Sequence, residues 1–203
     1  METRKPKTGF LMFEDEKMKE KIIDAAIAEF TEHGLKFTMN DVASRLGISK
    51  KTIYTVFDSK QAVLNAIGDR YATDLRSMQQ EIEADDSLDI TEKIERLLLA
   101  LPNRYYNIGL SGIYDLAGKY PKTYRHLMKA VNQGWKLVEQ YLEEGIRQNK
   151  IQNVPIPIVM AMVEGTVQKF LTSNVLVQNH MTYEQGKEEM IAIIMKGIKR
   201  SEV

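Results

Sequence analysis

Apolar residues return every three or four positions along almost the whole of this chain, and that spacing leaves few folds open. The clearest run is Tyr124, Met128, Val131, Trp135, Val138, Leu142 and Ile146, which alternates fours and threes. A 3.6-residue period puts such residues on one face of a helix, whereas a half-buried strand needs a period of two. Only 5 prolines punctuate 203 residues, so little in the chain breaks helices. The spacing predicts an all-α protein of about nine helices.

Boundaries are marked by residues that cap or stop helices. Lys17 to His33 carries Ile23, Ala26, Ile27 and Phe30 on one face, with Gly34 placed to end it. Thr38 and Asp41 form a short-acid version of the capping box, opening a helix that buries Val42, Ala43 and Leu46. Gly47 breaks that helix, Ser49 caps the next, and Asp58 and Ser59 cap a long fourth helix. Asp85, Asp86 and Ser87 then interrupt the pattern. Beyond them, Ile94 to Tyr105 reads as a helix that Pro102 kinks or ends, followed by a short segment around Ser111–Gly118. Pro155 and Pro157 open a helix running to Val177, and Thr182 with Gln185 opens the last one. No repeat or low-complexity tract is visible.

Several function classes are disfavoured. No apolar run approaches the roughly 20 residues of a membrane span. The N-terminus is basic but lacks the apolar stretch of an export signal, so a cytoplasmic protein without a membrane partner is expected. The absence of cysteine excludes disulfides and thiolate metal sites. His33, His126 and His180 are far apart and no carboxylate cluster has metal spacing, so neither metal nor cofactor is expected. No glycine-rich phosphate loop or nucleophile–base set supports an enzyme. The formal net charge is zero, so attraction to any polyanion must come from a local patch.

One segment has the layout of a helix-turn-helix: Thr38–Leu46, a turn at Gly47–Ile48, and Ser49–Phe57. Ile48, Ile53 and Phe57 would lock the third helix inward, leaving Lys50, Lys51, Thr52, Tyr54 and Thr55 to project. Lys supplies phosphate charge or guanine contacts, while Thr and Tyr reach phosphates and thymine methyls. By spacing alone, a generic three-helix core with a solvated polar face fits equally well.

The run Ile23-Asp-Ala-Ala-Ile-Ala-Glu-Phe, then Gly34, Thr38-Met-Asn-Asp-Val-Ala, Leu46-Gly-Ile-Ser, Thr52-Ile-Tyr, Phe57 and Ser59-Lys60 resembles the DNA-binding domain of the TetR family. The resemblance covers about residues 17 to 76. It implies a DNA-binding domain over 16–76 and a helical effector-binding and dimerisation domain over 77–203. It implies that Thr38 caps the second helix near a phosphate, that Thr52 and Tyr54 sit at the DNA, and that Lys60 pins a phosphate. The expected DNA-contacting set is therefore Thr38, Ser49, Lys50, Lys51, Thr52, Tyr54, Thr55 and Lys60. Many relatives have Gly where this chain has Lys51, and His or Tyr where it has Val56. The first difference adds a candidate contact; the second removes a phosphate contact and offers an apolar group to a thymine methyl. The arm carrying Arg4, Lys5 and Lys7 either enters a minor groove or is a disordered tail, and Phe10 to Phe13 form an apolar cluster unusual in a tail.

In the C-terminal part, Tyr105, Tyr106, Tyr114, Met128, Trp135, Met160 and Met162 are candidates for an apolar pocket, with Glu164 and Gln168 as polar groups that could orient a ligand. The same residues at the same spacing would also suit an ordinary core. The helices at 158–177 and 183–199 are more apolar than one core contact requires, which suggests a homodimer interface. The function expected is a dimeric transcriptional regulator, a repressor released from a palindromic double-stranded operator by a small apolar or aromatic effector. Movement of Ile94–Tyr105 would reach the fourth helix through the joint at Asp85–Leu88. The rivals are a DNA-binding dimer of the same fold without an effector, and a helical scaffold protein. Effector, operator and regulated genes cannot be read from the residues.

Overall fold

Several of the marked boundaries recur as helix caps and stops: Thr38 with Asp41, Gly47, Ser49, and Thr182 with Gln185. The computed structural model describes residues 8–100 and 110–200, with the backbone alone at 8–14, 110–114, 130, 171 and 172. The described residues form ten α-helices, a 3₁₀ turn and an isolated bridge between Ile151 and Lys199. The helices are α1 (Thr8–His33), α2 (Met39–Leu46), α3 (Lys50–Val56), α4 (Lys60–Ala84) and α5 (Ile90–Leu99). They continue with α6 (Leu110–Lys119), α7 (Pro121–Arg147), α8 (Ile156–Thr172), α9 (Val175–Gln178) and α10 (Tyr183–Ile198).

Helix limits differ from the expected ones at several places. Helix α1 begins at Thr8, so Phe10–Phe13 belong to its backbone and not to a tail; Arg4, Lys5 and Lys7 lie outside the described residues. The helix expected over 158–177 is broken at Ser173 and Asn174, which separates α8 from α9. Ser173 Oγ donates to the Lys169 carbonyl at 2.8 Å, and the Ser173 backbone is extended. Short polar side chains of this kind give the backbone an alternative to continuing the helix. Helix α5 is opened by a capping box of Asp89 and Glu92 that the sequence reading passed over. It stops at Leu99, so the expected continuation to Tyr105 lies outside the described residues beyond Ala100.

The chain divides into two compact units: Met1–Gly68 with Asn107–Thr123, and Asp69–Tyr106 with Tyr124–Val203. In the first, α1 packs against α2 and α3, burying Ile22, Ala26, Phe30, Val42 and Ile53. Helix α6 meets the 3₁₀ turn Gly34–Lys36, and Thr123 Oγ1 donates to Asn65 Oδ1 at 2.6 Å. In the second, α10 packs on α5 and α8 around Ile94, Leu98, Leu142, Val163 and Ile191. Gly186 permits close approach there, because a Cβ on it would stand 2.5 Å from Leu176 Cδ2. No described helix is long and apolar enough to cross a membrane.

Candidate nucleic-acid interface

The segment from Gly34 to Lys60 places α2 and α3 with local chemistry at every turn. Gly34 ends α1 at φ 55° and Gly47 ends α2 at φ 65°, a left-handed conformation that glycine adopts without a Cβ penalty. Thr38 Oγ1 accepts from the backbone N–H groups of Asn40 (3.2 Å) and Asp41 (3.3 Å). Asp41 Oδ2 accepts from Thr38 N–H at 2.7 Å, which completes the box. That backbone hydrogen bond, more than any charge, holds the Asp41 carboxyl below its ordinary pKa. Ser49 Oγ accepts from Thr52 N–H at 3.1 Å and starts α3.

Helix α3 is seated by Ile53, which is fully buried, and by Phe57 just past its end. With two points fixed on a seven-residue helix, its other face is set. Lys50, Lys51, Tyr54 and Thr55 are exposed there, while Thr52 and Val56 are half-buried. Lys50 lies over the Tyr54 ring, 5.8 Å from its centre. Thr52 Oγ1 shares a hydrogen with Ser49 Oγ at 2.8 Å, and Thr55 Oγ1 donates to the Thr52 carbonyl at 2.6 Å. No acidic residue stands in the first turn of α3, so this small surface is locally cationic on a chain of zero net charge. Such a face can neutralise phosphates and offer hydrogen bonds to base edges. Thr38 and Ser49 are exposed as well, at the starts of α2 and α3.

Lys60 is placed differently from the other seven. Its ammonium donates to the Leu35 carbonyl at 2.7 Å and to the Phe37 carbonyl, and lies 4.0 Å from the centre of the Phe37 ring. Burial, and secondarily the charge of Lys119, hold its pKa below the ordinary lysine value.

A second cluster was missed in the sequence. Arg45 Nε donates to Glu29 Oε1 at 2.6 Å and its Nη2 to Glu32 Oε2 at 2.6 Å, with His33 Nε2 at 3.6 Å from Glu29. Glu29 is 5% exposed, so the pair ties α1 to α2 beneath the surface. Glu29 and Glu32 do lie three apart on α1, but nothing local points across the 16 residues to Arg45.

The described residues expected to line a ligand pocket differ in burial. Met160 is enclosed in the core of the second unit; Trp135 and Met128 are half-buried, Trp135 against that core. Glu164 and Gln168 are exposed. Tyr105 and Tyr106 lie outside the described residues, and only the backbone of Tyr114 is described. On α8 and α10, Ile158, Met162 and Ile193 are more than half exposed, as is Val177 on α9. Ile191 and Ile194, by contrast, are core residues of the protomer. Among the described residues, no group of three His, Asp or Glu side chains could hold a metal ion.

Residues 22–67 match the model of the bacterial regulatory proteins, tetR family. The "Uncharacterized HTH-type transcriptional regulator YvaF" of Bacillus subtilis is 23% identical over 185 residues, covering 91% of this chain and 97% of its own. The "Probable acrEF/envCD operon repressor" of Escherichia coli is 24% identical over 136 residues, 66% of this chain and 56% of its own. Among solved structures, a Saccharomonospora viridis protein in complex with choline superposes with a TM-score of 0.73 at 17% identity, covering 92% of this chain and all of its own. The last of these is described as a transcriptional regulator too. The matched segment spans the capped helix pair with the cationic α3 face: residues 22–67 carry the domain of the bacterial regulatory proteins of the tetR family, on a chain whose fold is similar to that of solved transcriptional regulators.

Proposed function

We propose that this chain is a homodimeric repressor that reads a palindromic operator with α3 and leaves it when a small apolar or aromatic molecule binds. The observation that carries the reading is the α3 surface: Lys50, Lys51, Tyr54 and Thr55 exposed on a helix seated by Ile53 and Phe57. In this reading residues 16–76 bind DNA and 77–203 bind the effector and dimerise, even though packing groups α6 with the first unit. Thr38 and Ser49 contact phosphates, Lys50 and Lys51 contact phosphates or guanine, and Thr52, Tyr54 and Thr55 discriminate bases.

Dimerisation uses the outer faces of 158–177 and 183–199, and the exposed Ile158, Met162 and Ile193 support it. Large exposed apolar side chains in neighbouring turns mark association surfaces. For the effector, Trp135 and Met128 are the described candidates that are neither sealed in the core nor fully exposed; a protein of this fold in complex with choline supports a small-molecule site. Effector and operator would then weaken each other by one common factor.

Selection from random duplexes tests the reading. A palindrome should be enriched, with half-sites separated by about 34–36 Å or a multiple of it. Substituting Tyr54 or Thr55 by Ala should change preference at particular base positions, by about 1–3 kcal/mol per lost contact. Recovery of an unenriched pool would rule the reading out.

A further inference from the structure

Lys187 is 6% exposed, and its ammonium lies against the carbonyls at the end of α5. An ammonium has three N–H donors. Here Leu99 accepts at 3.1 Å and Ala100 at 3.5 Å, the second at the outer limit of a hydrogen bond. The end of a helix favours a cation, but a neutral donor could bond these carbonyls without taking a charge out of water. Burial lowers the Lys187 pKa to about 8, and no described acidic group counters it. The side chain therefore still carries its charge at neutral pH. Buried charges are ordinarily paired with an opposite one. This one keeps a third donor and a whole positive charge with no acidic partner among the described residues.

The neighbours of the ammonium on α10 indicate what would pair with it. Tyr183 precedes Lys187 by one helical turn and so shares its face. The Phe170 ring, on α8, lies edge-on to the Tyr183 ring with centres 6.5 Å apart, and a Cβ on Gly186 would stand 3.3 Å from its Cε2. Phe170 therefore covers the stretch of α10 that carries the phenol and the ammonium. Burial pushes the Tyr183 phenol up to about 12. Burial, and secondarily the Tyr183 phenol, push Tyr71 on α4 up to about 12 as well. Both phenols are thus neutral O–H groups wherever the ammonium is charged. All of these residues belong to the second unit.

We propose that Lys187, Tyr183 and Phe170 hold the head of an effector that is an apolar monocarboxylate, with the ammonium pairing its carboxylate. The proposal rests on the reading that the second unit binds a small apolar effector. One cation suits a monoanion, ammonium and phenol offer a donor to each carboxylate oxygen, and the two rings take the apolar body. Calorimetric titration of the full, DNA-free protein tests it with octanoate, decanoate and 4-phenylbutyrate, each against its primary amide. The acid that binds best should bind roughly tenfold to a hundredfold tighter than its amide, the range of a hydrogen bond to a charged group. Lys187→Met should bring acid and amide to equal affinity. Should that variant fail to fold, Lys187→Gln keeps a donor for the α5 carbonyls and removes only the charge, and the same loss of preference is expected. A Lys187 that merely caps α5 would leave the preference for the acid intact in the Gln variant, which would overturn the proposal. Equal binding of acid and amide by the wild type, or no binding of any of the three acids, would overturn it as well. Because no DNA is present in these titrations, a wild type that enriches no operator would sink the proposed function and leave this site standing.

Discussion

The helix-turn-helix unit and the C-terminal helices present their candidate surfaces differently. In the first, the candidate surface is polar, outward and anchored by interactions that are mostly within four residues: Thr38 with Asp41, Ser49 with Thr52, glycines at two positive-φ stops. In the second, the core and the candidates for interface and pocket all draw on Ile, Met and aromatic side chains, and residue type does not tell them apart. Ile191 is fully buried and Ile193, two positions on, is 69% exposed. A polar site announces itself by exposure and caps, while an apolar site is defined only by what covers it.

The sharpest way to break this contrast is to place the same charge on both neighbours. Ile191→Glu puts an unpaired carboxylate in the core and should cost several kcal/mol, unfolding the protein or leaving it insoluble. Ile193→Glu should leave the protomer folded, with a denaturation midpoint near wild type, yet shift sedimentation from dimer to monomer and abolish binding to a palindrome. Equal destabilisation by the two would mean that α10 has no outward face for a partner.

Lys187 gives a smaller effect with a defined sign. It is 6% exposed and donates to the carbonyls of Leu99 (3.1 Å) and Ala100 (3.5 Å) at the end of α5. Burial lowers its pKa from 10.5 to about 8. Between those values the unfolded chain holds a proton that the folded chain has released, so stability from this group rises with pH. Below pH 8 the desolvation penalty is present in full, and above 10.5 it is gone. Relative to Lys187→Met, the wild type should gain on the order of 3 kcal/mol across that window in denaturant titrations. Parallel curves for the two proteins would show that the ammonium is not desolvated.

The smallest effect sharpens the polar side of the comparison. Thr38→Ala removes the acceptor for two backbone N–H groups and should cost about 1 kcal/mol of stability, read as a modest fall in denaturation midpoint. Loss of operator affinity well beyond that amount would mean that the hydroxyl also touches DNA.

The amino-acid sequence by itself determined the helical class, the capped α2–turn–α3 unit and the outward set on α3. Those features rest on interactions within about one helical turn, which spacing reports directly. It did not reveal the break at Ser173–Asn174, because Ser and Asn are tolerated inside helices and only their actual hydrogen bonds end one. The tertiary structure alone decided where long side chains reach. Lys60 finds carbonyls 23 and 25 residues back, Arg45 finds Glu29 across 16, and Lys187 finds Leu99 across 88. It also decided that Glu164 is exposed, that Met160 is sealed in the core, and that Ile193 and not Ile191 faces outward. The physical reason is common to all of these. Periodicity fixes which residues share a helix face, but on a helix with apolar residues on two faces, only the packing of distant segments selects the one that is covered.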